Sequence, residues 1–146
     1  IFSRQTIQAL PKTTPYAMAE KGAYVVESDE NPDVILLASG SEVSTLVQAA
    51  KKLQNDGIKT RVVSVPSEGL FRSQPIEYQE SVLPSSIKKF GLTAGLSVNL
   101  QNLVGSNGKV WGIDHFGYSA PFKVLEEKFG LNAENIYKEV LAFIKQ

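Results

Sequence analysis

The chain has 146 residues, of which 42% are hydrophobic and 21% charged, the make-up of one ordinary globular domain. Its 15 basic residues equal its 15 acidic ones, so no global field draws it to nucleic acid or to an anionic membrane surface. It has no Cys, which excludes disulfides, thiolate zinc sites and a Cys nucleophile.

The chain opens without Met and without a signal-peptide pattern, and its apolar runs are too short to span a membrane. The missing Met suggests either a piece of a longer polypeptide or removal of the Met by processing. Residues 1–20 read as a linker or extended arm, with Pro11 and Pro15 flanking Thr13 and Thr14. Residues 21–146 read as the domain. Ala23 to Glu27 is rich in β-formers and predicts a strand, followed by a turn over Ser28 to Pro32. The continuous run Val34 to Ala38 predicts a strand buried on both faces. Val43, Leu46, Val47, Ala50 and Leu53 then recur at helical spacing, with Ser41 as the expected N-cap and Gly57 as the stop. Arg61 to Val65 predicts a strand that closes a β-α-β unit, hence parallel strands and a right-handed crossover.

Leu70-Phe71 and Ile76 to Leu83 read as short helical pieces broken by Pro75 and Pro84. Ile87 to Thr93 predicts a fourth strand, weakened by Gly91, with Lys88-Lys89 as a solvated strand edge. Leu96 to Val104 predicts a short helix and Val110 to Ile113 a last strand. Pro121 to Phe129 reads as a helix with Phe122, Leu125 and Phe129 on one stripe. Asn132 caps a final helix lined by Ile136, Val140, Leu141 and Ile144. Alternating strands and helices predict an α/β sandwich with a mainly parallel sheet.

The residues themselves show no complete catalytic set. The loop Ser39-Gly40-Ser41-Glu42 joins a strand to a helix N-terminus, where an α/β sheet can bind an anion. It has one Gly and no basic residue, and Glu42 competes for the same helix end, so Gly40 and Ser41 stand either as a plain cap or as an anion site. His115 is the only His, in the loop Gly112-Ile113-Asp114-His115-Phe116-Gly117. It could act as a general base beside Asp114, or serve loop packing or an interface. Trp111 reads as core or interface. Neither Tyr24 nor Tyr78 has surroundings that argue for catalysis, and no Ser sits in a G-x-S-x-G elbow.

Several stretches resemble the transketolase family, in family order over nearly the whole chain. Phe2-Ser3-Arg4-Gln5 resembles "L-S-R-Q", and Lys21-Gly22-Ala23-Tyr24-Val25 resembles "K-G-(G/A)-Y-V". Asn31 to Leu36 and Ala38 to Val43 resemble "P-D-(I/L)-I-L-(I/V)-A-(S/T)-G-S-E-V". Arg61 to Pro66 is similar to "R-V-V-S-(M/L)-P", and Ser81 to Pro84 to "(S/A)-V-L-P". Phe116-Gly117 with Ser119-Ala120-Pro121 is similar to "F-G-x-S-A-P", and Lys128-Phe129-Gly130 to "(E/K)-(F/K)-F-G".

The resemblance implies a three-layer α/β sandwich with a mixed, mainly parallel five-stranded sheet, the C-terminal domain of the enzyme. It implies, for the parent, transfer of a two-carbon ketol unit between sugar phosphates in the pentose phosphate pathway. Thiamine diphosphate and a divalent metal, Mg or Ca, would be held by two earlier domains, the nearer one pyrimidine-binding, that meet across a homodimer interface. No cofactor, metal or catalytic residue is assigned to this chain, which is expected to be inactive alone and to serve assembly. The resemblance also implies a cytoplasmic protein with no nucleic-acid or membrane partner. One residue carries over: Arg4, matching the Arg of "S-R-Q", would contact the substrate phosphate with its paired donors. The sequence departs from the family at Gly91-Leu92-Thr93-Ala94-Gly95, where Thr93 replaces the Glu of "V-E-A-G", and in Leu96 to Val104, which lacks the family's aromatics. Related readings are the C-terminal domain of dihydroxyacetone synthase, or a regulatory module binding a small anion or nucleotide at Gly40-Ser41.

Overall fold

The computed structural model describes residues 16–146. After a 3-10 turn at Tyr16–Lys21 come the strands β1 (Tyr24–Ser28), β2 (Val34–Ala38), β3 (Thr60–Ser64), β4 (Lys88–Leu92) and β5 (Lys109–Trp111). They form one sheet in the order β1-β3-β2-β4-β5. The β1 strand runs antiparallel to β3, and the remaining pairs are parallel. The mixed, mainly parallel five-stranded sheet is therefore as expected, and so is the parallel β2-α1-β3 unit. The helices are α1 (Glu42–Asn55), α2 (Glu68–Arg72), α3 (Ile76–Val82), α4 (Val98–Val104), α5 (Phe122–Lys128) and α6 (Ala133–Ile144).

The β2 strand shows why a continuous apolar run suits the centre of such a sheet. All of its residues are buried. Successive side chains point to opposite faces. Val34, Leu36 and Ala38 join the cluster under α1 and α6, with Leu46, Leu53, Phe90, Ile136 and Val140. Ile35 and Leu37 join the opposite cluster under α2, α3 and α4, with Phe71, Val82, Leu100 and Leu103. Each buried Leu or Ile contributes roughly 1.5–3 kcal/mol relative to exposure. The three-layer sandwich follows from this split.

Helix ends follow local chemistry. The α1 helix stops at a Schellman closure: Gly57 N–H donates to Gln54 O at 2.9 Å and Ile58 N–H to Leu53 O at 3.0 Å. Asn132 caps α6, its side chain accepting from Asn135 N at 2.9 Å. The turn before β2 is clasped by Asp29, whose carboxylate accepts from Thr60 N at 2.8 Å and Gln54 Nε2 at 3.0 Å. These bonds, the Thr60 amide above all, hold its pKa below the ordinary value.

Two expectations are corrected. Ser41 does not cap α1 with its side chain: it already has helical backbone angles, and its hydroxyl donates to Glu42 Oε1 at 2.9 Å. Lys88-Lys89 is not a sheet edge, because β4 lies between β2 and β5. Lys89 is only 8% exposed, and its ammonium donates to Ile87 O at 3.2 Å. Burial pushes its pKa down, against the pull of Glu80. A long aliphatic stem lets Lys sit in an interior strand with its head on nearby backbone, which charge pattern alone does not show. The helix expected over Pro121 to Phe129 is present as α5, with its stripe of Phe122, Leu125 and Phe129 outside the buried core. No residue of α5 is buried, and Phe122 is 47% exposed.

Candidate functional site

Register fixes one end of the sheet. Tyr24 pairs with Ser64, Ser64 with Ala38, Ala38 with Leu92, and Leu92 with Trp111. This row is the carboxyl end of the parallel strands, where an open α/β sheet presents its loops. The loops 39–41, 93–97 and 112–121 leave from it. The chain also enters there, because β1 is antiparallel and starts at Tyr24. Gly22 makes this entry possible: its φ is +84°, and a Cβ would stand 2.3 Å from Phe71 N and 2.4 Å from Ser67 O.

The loops after β4 and β5 are locked together. Ile113 N–H donates to Gly95 O at 2.8 Å, and Thr93 N–H to Trp111 O at 3.0 Å. Asp114 accepts from Ser97 N at 2.9 Å and Ser97 Oγ at 2.6 Å. Ser97 chiefly holds the Asp114 carboxyl below its usual range. Gly112 is required by this approach: a Cβ there would lie 2.7 Å from Ser97 N. Thr93, at the departure from the family, turns inward on its own loop and accepts from Gly95 N at 3.0 Å. The Ser97–Asp114 pair was not singled out in the sequence. The two residues are far apart in the chain, and nothing in their spacing marks them.

Of the sequence candidates, Gly40, Ser41 and His115 fall at this end, but they do not converge into a catalytic set. Gly40 is exposed, with φ +64°, and Ser41 is engaged by Glu42. The carboxylate thus occupies the helix terminus at which an anion would sit. His115 is exposed, and its Nδ1 lies 2.8 Å from Phe116 O. Its ring packs 5.5 Å from Phe129 and 6.0 Å from Tyr118, while Lys128 Nζ stands 3.6 Å from the Tyr118 ring centroid. Asp114 faces Ser97 instead of His115's ring nitrogens, so neighbouring positions in the chain do not make an acid–base pair. His115 therefore serves the packing of an aromatic cluster. Beside it lies an open cleft of 440 Å³, lined among others by Trp111, Glu127 and Asn135. Trp111 is half-buried against the core and donates Nε1–H to Phe129 O at 3.0 Å. Tyr78 is structural, its hydroxyl donating to Ala23 O at 2.8 Å.

Arg4 lies outside the described residues, as does most of the expected arm. Among the described residues, no group of three or more His, Asp and Glu side chains is placed to hold a metal ion. No described helix is long and apolar enough to cross a membrane. The described residues do not fit a diphosphate–metal cofactor: no group of three or more His, Asp and Glu side chains is placed to hold the metal, and at the turn before α1 the Ser41 hydroxyl is bonded to Glu42.

Comparison with known proteins locates this fold. The family model for the transketolase-like TK C-terminal domain matches residues 22–132. A transketolase of Staphylococcus aureus is 42% identical over 146 residues, covering 97% of this chain and 22% of the relative. Among solved structures, the transketolase of Leishmania mexicana superposes with a TM-score of 0.85 at 33% identity, over 92% of this chain and 19% of the other. A Pichia stipitis transketolase in complex with sedoheptulose-7-phosphate superposes with a TM-score of 0.79 at 29% identity, over 88% of this chain and 19% of that one. The chain thus spans about a fifth of the length of the relatives it matches. The ordered strand and loop motifs, the β1-β3-β2-β4-β5 sheet and these matches agree, and the chain belongs to the transketolase family, as its C-terminal domain.

Proposed function

We propose that this chain is the C-terminal part of a thiamine diphosphate-dependent transketolase that moves a two-carbon ketol unit between sugar phosphates. The observation that carries the reading is the family match over residues 22–132. Residues 1–20 are the arm from the preceding domain, and residues 21–146 the domain proper. Thiamine diphosphate supplies the carbanion chemistry and a divalent metal anchors its diphosphate, both held by earlier domains of a cytoplasmic homodimer. This chain contributes scaffold and assembly, and is inactive alone.

Arg4 is its one contact with substrate in this reading. A guanidinium stays charged at every working pH and presents paired donors to a phosphate. The Gly40-Ser41 turn carries no part of the proposal, since the Ser41 hydroxyl is already bonded to Glu42. The test is the full-length enzyme with Arg4→Ala. A charge-assisted hydrogen bond is worth about 1.5–3 kcal/mol, so KM for a phosphorylated acceptor should rise roughly ten- to a hundred-fold. The rate with an unphosphorylated acceptor aldehyde should stay unchanged. An equal loss on both acceptors, or none on either, would overturn the role of Arg4.

A further inference from the structure

The sequence holds one Asn-Gly pair, Asn107-Gly108, and one Asp-Gly pair, Asp56-Gly57. Both invite the same reaction. The backbone nitrogen of the Gly can attack the side-chain carbonyl carbon of the residue before it, and a Gly, having no Cβ, leaves that approach open. Asp56, Gly57 and Asn107 are all exposed, so exposure does not separate the two pairs. Hydrogen bonding does. At Asp56-Gly57 both reacting groups are engaged: Gly57 N–H donates to Gln54 O at 2.9 Å in the closure of α1, and the Asp56 carboxylate accepts from the Tyr137 hydroxyl. Gly108 N–H makes one bond, to Gly105 O at 3.2 Å, the long end of the range. The Asn107 carboxamide has no hydrogen-bond partner among the described residues. Its turn, residues 105–108, joins α4 to the start of β5. It therefore lies at the amino end of the parallel strands, opposite the loops after β2, β4 and β5.

We infer that Asn107-Gly108 is a self-modification site, where the folded protein deamidates to isoaspartate and aspartate while the fold spares Asp56-Gly57. The Gly108 nitrogen forms a bond to Asn107 Cγ. The bond from Cγ to the side-chain nitrogen breaks, and ammonia leaves with the proton that Gly108 gives up. Water then opens the cyclic imide at one of its two C–N bonds. Cleavage at Cγ leaves aspartate; cleavage at the main-chain carbonyl carbon leaves isoaspartate, with the main chain now running through Cγ. Both products add a negative charge to a chain whose formal charge is zero. Isoaspartate also lengthens the turn by a methylene, at a point with no slack. A Cβ on Gly108 would stand 2.4 Å from Val104 Cβ, so Gly108 already rests against the end of α4. The next residue, Lys109, opens the three-residue strand β5, pairs with Phe90 and donates to Glu139 at 2.7 Å. A longer turn displaces that start and loosens the strand.

The experiment ages the full-length protein for days in warm, mildly alkaline buffer, folded and in urea. Isoaspartate is then read peptide by peptide, by mass spectrometry and by labelling with isoaspartyl methyltransferase. Comparing each site with itself in urea removes the intrinsic difference between Asn-Gly and Asp-Gly. Folding should slow the reaction at position 56 by at least roughly tenfold and at position 107 by less than about threefold, since closed hydrogen bonds must open first. Asn107→Gln, at an exposed position, should abolish the label in its own peptide and leave the rest of the map unchanged. In the aged protein, amide hydrogens of residues 109–111 should exchange faster than in the fresh protein. No isoaspartate at 107 in the folded protein, or protection there as strong as at 56, overturns the inference. Unchanged exchange over β5 in a fully modified sample overturns its structural consequence. None of these readouts uses ketol transfer, so they stand or fall apart from the proposed activity.

Discussion

Leu46, Leu53, Ile136 and Val140 pack α1 and α6 against the sheet and expose no surface, whereas Phe116, Tyr118, Phe122 and Val124 stand in water on the segment after β5. The two regions use similar residue types and are both held in regular shape. The first is stabilised by burial within the chain. The second is positioned by hydrogen bonds and ring contacts at its edges, with its apolar surface left over. The difference teaches that an apolar residue in this domain can end in the core or in water, and that only its neighbours across the fold decide which.

The sharpest way to break that comparison is to remove side-chain volume on each side of it. Leu36→Ala opens a cavity in a strand buried on both faces, and should cost about 2–5 kcal/mol in a urea melt of the chain. A loss below 1 kcal/mol would mean that the sheet centre is not the main source of stability.

A smaller effect lies at the edge strand. Glu27 Oε1 has no hydrogen-bond partner, and burial pushes its pKa above 4.5, with Lys51 only partly offsetting. A carboxyl with a raised folded-state pKa gives its full support below the unfolded value, and loses it as pH rises through the folded one. Glu27→Gln should therefore stabilise the chain at pH 7 by up to about 1 kcal/mol, allowing for screening at a partly exposed site, and the gain should vanish below about pH 4. Thermal melts at the two pH values check this. A gain that persists in acid would point to packing instead of charge.

The smallest effect is expected where the surface is bare. Phe116→Ser should change the stability of this chain by no more than about 0.5 kcal/mol, because the ring is 97% exposed. A loss comparable to that of Leu36→Ala would show that the segment supports the domain from within.

The sequence made the first region legible because its signals are local and redundant. An unbroken Val34 to Ala38 run, a stripe from Val43 to Leu53 and Gly57 at the closure each repeat the same message. The α5 stripe shows the limit of such signals: its pattern predicts the helix, but periodicity reports only that a helix has an apolar side and says nothing about what covers it. Lys89 misled: its charge suggested water, while its stem and a nearby carbonyl allowed burial. At the candidate site, the pairing register brings the loops after β2, β4 and β5 to one sheet end, which no local pattern in the sequence states. The Ser97–Asp114 clasp remained invisible because it joins residues of two different loops. The neighbouring positions of Asp114 and His115 suggested a pair that the backbone turns apart.

The central claim is that the chemistry belongs to the parent enzyme and not to this domain. The most direct measurement compares ketol transfer from xylulose 5-phosphate to ribose 5-phosphate by the purified 146-residue chain and by the full-length protein, each with thiamine diphosphate and Mg²⁺. The account predicts turnover by the full-length protein that requires the cofactor, and none by the chain alone. Turnover by the chain alone, or its absence in the cofactor-loaded full-length protein, would contradict it.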